Sequence, residues 1–264
     1  MLMFQLNMLG TSRRPMSTKP LHLDRAQARL AAAFAAVATL TLTGCQAIVS
    51  SAPAAQVRVI HATPDTPGLD IYQGSNALAF NLDFGAVTSY IPLTPGTYTI
   101  NADTAGSKQI LSSAKTTFVA STQYTVLLGN STVNLQQITL TDQNQAAPAG
   151  QIALRFVNQA TRASAVDIYL VPAGQRLSAV SPLVTGIAFG ANTGYIDVPT
   201  GTYSLIMLPA ATVPVGAAVS YTGPQVAYSA GSVRTIILID QPLATTPGLK
   251  VITAEDFDPP GAAN

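Results

Sequence analysis

The chain states most of its fold twice. Phe84-Gly85-Ala86-Val87-Thr88-Ser89-Tyr90-Ile91 returns as Phe189-Gly190-Ala191-Asn192-Thr193-Gly194-Tyr195-Ile196, and Gly96-Thr97-Tyr98 returns at the same separation as Gly201-Thr202-Tyr203. Asp70-Ile71-Tyr72 matches Asp167-Ile168-Tyr169, Arg58 matches Arg155, and Thr125-Val126-Leu127-Leu128 is answered by Thr235-Ile236-Ile237-Leu238. The offset grows from 97 to 105 residues between the earlier and later blocks, so copy two has gained eight residues around Pro172 to Pro182. A duplicated unit of this length is of domain size and too long for a solenoid repeat. It predicts two domains, 56–142 and 151–256, each with its own core and able to fold alone, joined by a linker at 143–150.

Within each unit the pattern is that of strands. Tyr98, Ile100 and Ala102 alternate with Thr97, Thr99 and Asn101, which is the period of a half-buried strand with a hydroxyl-rich outer face. Thr235 to Ile239 is a continuous β-branched and leucine run, the signature of a central strand covered on both sides. Pro64, Pro67-Gly68, Gly74, Pro92, Pro95-Gly96, Gly106 and Gly129-Asn130 punctuate the chain at short intervals, the spacing of an antiparallel sandwich. Charged residues make up 9% of the chain, far below the usual quarter or so, and no helix is predicted after residue 45.

One cysteine, Cys45, closes Leu42-Thr43-Gly44-Cys45 after an apolar run from Leu30 that follows Arg25 and Arg29. A positive flank, a short apolar segment and small residues at a cleavage point are the parts of a secretory signal, and the run is too short to span a bilayer. The motif resembles the lipobox of bacterial lipoproteins. That resemblance implies a cleaved signal segment at 1–44, beginning at Met1 or Met16, and lipid on Cys45 as the membrane anchor. It also implies a short stalk at 45–55 and an exported protein, with the outer membrane favoured in a Gram-negative source because Gln46 is not the aspartate of inner-membrane retention. The residues from 257 to 264 read as a tail.

Removing the leader leaves 8 basic and 11 acidic residues. A chain of that balance has no basic patch for nucleic acid and no charge to bring it to an anionic membrane.

Val57-Arg58-Val59-Ile60-His61-Ala62-Thr63-Pro64-Asp65, Leu69-Asp70-Ile71-Tyr72, Phe84-Gly85 and Pro95-Gly96-Thr97-Tyr98-Thr99-Ile100 are similar to the bacterial domain-of-unknown-function family numbered 4397. The likeness covers nearly all of repeat one, and repeat two reads as a more divergent copy. The resemblance implies exported immunoglobulin-like β domains, often in tandem, with no established activity. The fold expected is therefore all-β, two tandem immunoglobulin-like antiparallel β-sandwich domains after a cleaved signal segment.

The residues that could carry chemistry are few. His61 is the one histidine of the mature chain, and Asp65 and Asp70 follow it closely; together they could serve as a general base with an orienting carboxylate. Against this, no nucleophile-elbow motif accompanies them, and repeat two has Asn158-Gln159-Ala160-Thr161-Arg162 in place of the His61 segment. Asp70 and Asp167 recur at matched positions, as expected of carboxylates that accept backbone N–H groups from nearby loops. No calcium-loop or zinc spacing is present, so neither a metal nor a cofactor is expected. Tyr72, Tyr90, Tyr98, Tyr195 and Tyr203 fall in the repeated motifs and read as core rings with bonded hydroxyls. The reading is a non-catalytic binding or structural protein of the cell envelope whose partner is an envelope protein or a polysaccharide. The alternatives are an envelope hydrolase using His61 with Asp65 and Asp70, and a carbohydrate-binding module, which would show at least two exposed coplanar tyrosines on one face.

Overall fold

The computed structural model describes residues 53–214, 219–242 and 248–257. Cys45, the leader, the stalk before residue 53 and the tail from 258 lie outside them. Repeat one contains β1 (Ala55–His61), β2 (Leu69–Gln73), β3 (Asn76–Leu82), β4 (Ile91–Leu93), β5 (Gly96–Thr104), β6 (Ile110–Phe118), β7 (Gln123–Gly129) and β8 (Gln136–Asp142). Repeat two contains β9 (Gln151–Asn158), β10 (Val166–Pro172), β11 (Val184–Ile187), β12 (Asn192–Pro199), β13 (Gly201–Pro209), β14 (Tyr221–Tyr228), β15 (Val233–Asp240) and β16 (Leu249–Phe257). Among the described residues there is no α-helix, only 3-10 turns at Thr132–Asn134 and Leu177–Ala179.

The two repeats have the same topology. Repeat one forms sheets ordered β4-β1-β7-β8 and β3-β2-β5-β6; repeat two forms β12-β9-β15-β16 and β11-β10-β13-β14. The architecture is the expected two-sheet sandwich, with its own strand order instead of the ABED and CFG sheets of an immunoglobulin constant domain. It is not wholly antiparallel, because β1 runs parallel to β7 and β9 parallel to β15. Parallel neighbours need a long crossover, and here the crossover includes the whole opposite sheet.

The repeated Phe-Gly turn has a local physical cause. Gly85 (φ +83°) and Gly190 (φ +79°) occupy the left-handed region that a side chain disfavours. Their N–H groups donate to the carbonyls of His61 and Asn158 at 2.8 and 2.7 Å. Thr88 and Thr193 then accept the N–H of Val59 and Phe156 through Oγ1 at 2.9 and 3.0 Å. The motif thus brings Tyr90 and Tyr195 alongside β1 and β9.

Each sandwich has its own core. In repeat one Val57, Val59, Val126 and Leu128 meet Leu69, Ile71, Ile100 and Phe118; in repeat two Leu154, Phe156, Ile236 and Leu238 meet Ile168, Leu170, Leu205 and Met207. A third core joins them: Ile60, Ala62, Leu127 and Leu140 pack with Val157, Ile237, Ile239, Ile252 and Ala254. The sheets containing β1 and β9 therefore face each other, giving four layers, with β1, β7, β9 and β15 covered on both sides. That double burial explains their continuous apolar runs. Either repeat alone would expose the inner face of this third core. Residues 51–264 form one compact unit.

Candidate functional site

Four charges lie between the inner sheets. Strand alternation directs Arg58 and Ile60 of β1 toward the shared core, and Arg155 and Val157 of β9 likewise. Each arginine stands opposite a threonine of its own repeat and pairs with an aspartate of the other. Arg58 donates from Nε to Thr125 Oγ1 at 2.8 Å, from Nη1 to the carbonyl of Glu255 at 2.7 Å, and from Nη2 to Asp256. Arg155 donates from Nε to Thr235 Oγ1 at 3.0 Å, from Nη1 to the carbonyl of Thr141 at 2.8 Å, and from Nη2 to Asp142. The free oxygen of Asp142 accepts Tyr90 Oη–H at 2.7 Å and Thr125 Oγ1–H at 2.6 Å; that of Asp256 accepts Tyr195 Oη–H at 2.8 Å and Thr235 Oγ1–H at 2.7 Å. The guanidinium groups lie over the Tyr90 and Tyr195 rings at 4.8 and 4.6 Å.

These groups are inaccessible: the arginine side chains are 2% and 3% exposed and the aspartate carboxylates 0%. Burial pushes both tyrosine hydroxyls well above their ordinary value, so they remain donors. It also pushes Asp256 up, while Arg58 and Thr235 pull it back; a guanidinium does not release its proton, so the pair stands as ions. With both carboxylates and both guanidinium groups engaged on several sides, the network locks the two repeats together and offers nothing to a substrate.

His61 is fully buried on the opposite side of β1. Its Nδ1 is 2.9 Å from the carbonyl of Leu82, which can only accept, so Nδ1 carries the proton and Nε2 presents a lone pair. That lone pair has no partner, and Phe84 packs edge-on to the ring at 6.2 Å. Burial lowers the imidazole below its ordinary value, against the opposing hydrogen bonds of nearby backbone. In repeat two Asn158 Nδ2 donates to the carbonyl of Ile187 at 3.0 Å, so an amide does what the imidazole does in repeat one.

The proposed acid–base set does not converge. Asp65 is exposed on a turn with φ +58° and lines a groove of about 290 Å³ with Pro64, Asn130, Thr132, Arg162 and Asp240. In that groove Arg162 is held by Asp240 at 3.2 Å. Asp70 accepts the N–H groups of Asn81 at 2.8 Å and Gly106 at 3.0 Å. Asp167 accepts those of Gly186 at 2.8 Å and Ala211 at 3.0 Å. Each carboxylate joins its own strand to the neighbouring edge strand, β3 or β11, and to the turn that follows β5 or β13. Among the described residues no group of three or more His, Cys, Asp or Glu is placed to hold a metal ion, and no helix is long and apolar enough to cross a membrane.

The tyrosines divide by environment. Tyr98 and Tyr203 donate to the carbonyls of Thr94 and Pro199, both at 2.9 Å. Tyr72 is half-buried on the outer face of β2, where Phe80 meets it edge-on at 6.1 Å with planes 86° apart, so this is an aromatic corner and not a pair of coplanar tyrosines. Beside it a cleft of about 410 Å³ is lined by Tyr72, Asn101, Asp103, Lys108 and Ile110.

Asp142 and Asp256 were not singled out by the sequence reading. Their signal is a further repeat, Ile138-Thr139-Leu140-Thr141-Asp142 against Ile252-Thr253-Ala254-Glu255-Asp256, in a chain where charge is scarce. Asn101 reads in the sequence only as an outward position of an alternating strand, and Asp103 carries no signal of its own.

A search of curated proteins finds no match to the chain. Among solved structures the likeness is loose. A streptococcal virulence factor described as binding alpha-glucan aligns with 12% identity and a TM-score of 0.23, covering 69% of this chain and 91% of that one. The family 26 carbohydrate-binding module of Eubacterium rectale Amy13K, in complex with maltoheptaose, aligns with 12% identity and a TM-score of 0.24 over 76% and 98%. A putative cell adhesion protein of Bacteroides fragilis aligns with 8% identity and a TM-score of 0.20 over 80% and 100%. The family match is defined by residue: positions 55–169, which take in all of repeat one, the linker, β9 and part of β10, fit the model for the domain of unknown function DUF4397.

Proposed function

We propose that the protein is a lipid-anchored extracytoplasmic binding protein of the cell envelope, without catalytic activity. In this reading lipid on Cys45 holds the chain at a bilayer, the outer membrane in a Gram-negative source, and repeat two is a diverged second copy of the DUF4397 domain. The identical strand order of the repeats supports the second copy. The observation that carries the non-catalytic reading is His61, whose Nδ1–H is committed to Leu82 while Asp65 and Asp70 serve other places. What remains is a rigid scaffold that presents sheet faces and loops.

Membrane fractionation and cross-linking in intact cells test the two halves of the reading. Wild-type protein is expected in the membrane fraction and Cys45→Ser in the soluble fraction, with an envelope component cross-linked to the wild type. Continued membrane association of Cys45→Ser would refute the lipid anchor. A hydrolytic activity abolished by His61→Asn, in a variant that stays folded, would refute the non-catalytic assignment.

A further inference from the structure

We propose that the outer face of sheet β3-β2-β5-β6 in repeat one is a glycan-binding site, built on Tyr72, Phe80, Asn101 and Asp103 and selective for neutral polysaccharide. The inference rests on the binding reading above and gives it a place and a ligand class.

The duplication supplies an internal comparison. In repeat one Tyr72 stands opposite Asn101, and Asp70 opposite Asp103; at the same register in repeat two Tyr169 stands opposite Ile206, and Asp167 opposite Leu208. Two polar residues of one repeat are thus two apolar residues in the other. The eight extra residues of repeat two explain the difference. They form the turn at Leu177–Ala179, and Leu177 and Val180 pack over Tyr169, Val171 and Leu208, leaving Tyr169 3% exposed. Repeat two covers this face with its own chain. Repeat one has no such segment, and the face stays open, with Phe80 69% and Ile110 54% exposed.

The open face has the chemistry of a polyol site. A pyranose presents an apolar C–H face and a rim of hydroxyls that both donate and accept. Tyr72 and Phe80, with planes 86° apart and so not the flat tyrosine platform, form an aromatic corner that meets the first from two sides. For the second, Asn101 Oδ1 already accepts Ser113 Oγ–H at 2.7 Å, which leaves its NH₂ group to donate. Asp103 is 7% exposed, and its Oδ1 has no hydrogen-bond partner although it lines the cleft. An unsatisfied buried acceptor is costly, and a rotation of the Asp103 carboxylate toward the cleft lets a sugar hydroxyl supply the missing donor. One carboxylate and one ammonium, Asp103 and Lys108, leave the cleft without net charge, and the acidic mature chain repels polyanions. Further along the same face Thr97, Thr99 and Thr117, with the exposed Lys115 opposite Thr99, extend it as a polar track along β5 and β6.

The experiment uses the mature chain with Cys45→Ser, which leaves the face untouched. Affinity electrophoresis and titration calorimetry are run against soluble α-glucan, β-glucan, mannan, galactan and xylan, with hyaluronate as the anionic comparison. At least one neutral polymer is expected to bind. Phe80→Ala and Tyr72→Ala are each expected to weaken that binding about tenfold or more. Asp103→Ala is expected to weaken it comparably, and Val133→Ala, on a distant exposed turn, to leave it unchanged. Phe80 is so exposed that its loss cannot unfold the sheet, which keeps the test decisive if Tyr72→Ala misfolds. Failure of every neutral polymer, preference for hyaluronate, or binding indifferent to Phe80→Ala overturns the inference. If glycans fail while cross-linking in the envelope still captures a partner, the ligand class falls and the broader binding reading stands.

Discussion

Asp142, which ends β8, and Asp256, the penultimate residue of β16, each neutralise an arginine of the other repeat, so each repeat completes the electrostatics of its neighbour. A buried ion whose partner is deleted loses several kcal/mol, because the remaining charge keeps its desolvation cost. Arg58→Ala should therefore lower unfolding free energy by about 3–5 kcal/mol, measurable by urea titration, and leave Asp256 buried without its cation. A loss below about 1 kcal/mol would mean that water reaches the site. His61 provides a pH signature. Its folded-state affinity for protons is lowered by burial, so the unfolded chain binds the proton first. The stability that it contributes is complete above the ordinary imidazole range near 6.5 and is lost as pH falls through that range. His61→Asn, which copies the bond made by Asn158, should flatten the stability profile between about pH 7.5 and 5.5. An unchanged slope would show that His61 takes up its proton in the fold.

At the scale of elements, the recurrent aspartates act as pins. Asp70 holds the β2–β3 side to the β5–β6 turn, and Asp167 holds the corresponding loops of repeat two. Removing either carboxylate strands two backbone donors, at a cost of about 1.5–3 kcal/mol. Asp70→Ala and Asp167→Ala should show similar losses in thermal denaturation, since their bonding is equivalent, and a loss at one site alone would contradict that. These elements were largely legible in the sequence: the alternation over Tyr98 to Ala102, the run Thr235 to Ile239 and the recurrence of Asp70 each indicated the local structure found. The parallel pairing of β1 with β7 was not legible, because periodicity reports which faces are covered and not which strand is adjacent. Nor was the open cleft, since Asn101 and Asp103 look like ordinary outward positions until repeat two is seen to bury its counterparts under an insertion.

At the scale of the whole molecule, duplication became union. The sequence carried the repeat, and even the matched arginines, but the exchange of partners between repeats depends on two sheets meeting face to face. Separation along the chain hides that meeting: Arg58 and Asp256 stand near opposite ends of the described residues. The result is one body with three cores in series, in which an outer face of repeat one stays open while its counterpart is closed. Such a body should unfold as a unit, because parting the repeats exposes the middle core and two ion pairs together. The most direct measurement is equilibrium urea unfolding of residues 45–264 with Cys45→Ser, followed by tyrosine fluorescence and far-ultraviolet circular dichroism, with residues 53–142 as a separate fragment. A single transition coincident in both probes, and a fragment that is unfolded or self-associated, is the outcome predicted. Two separated transitions, or a folded monomeric fragment as stable as repeat one in the intact chain, would contradict it.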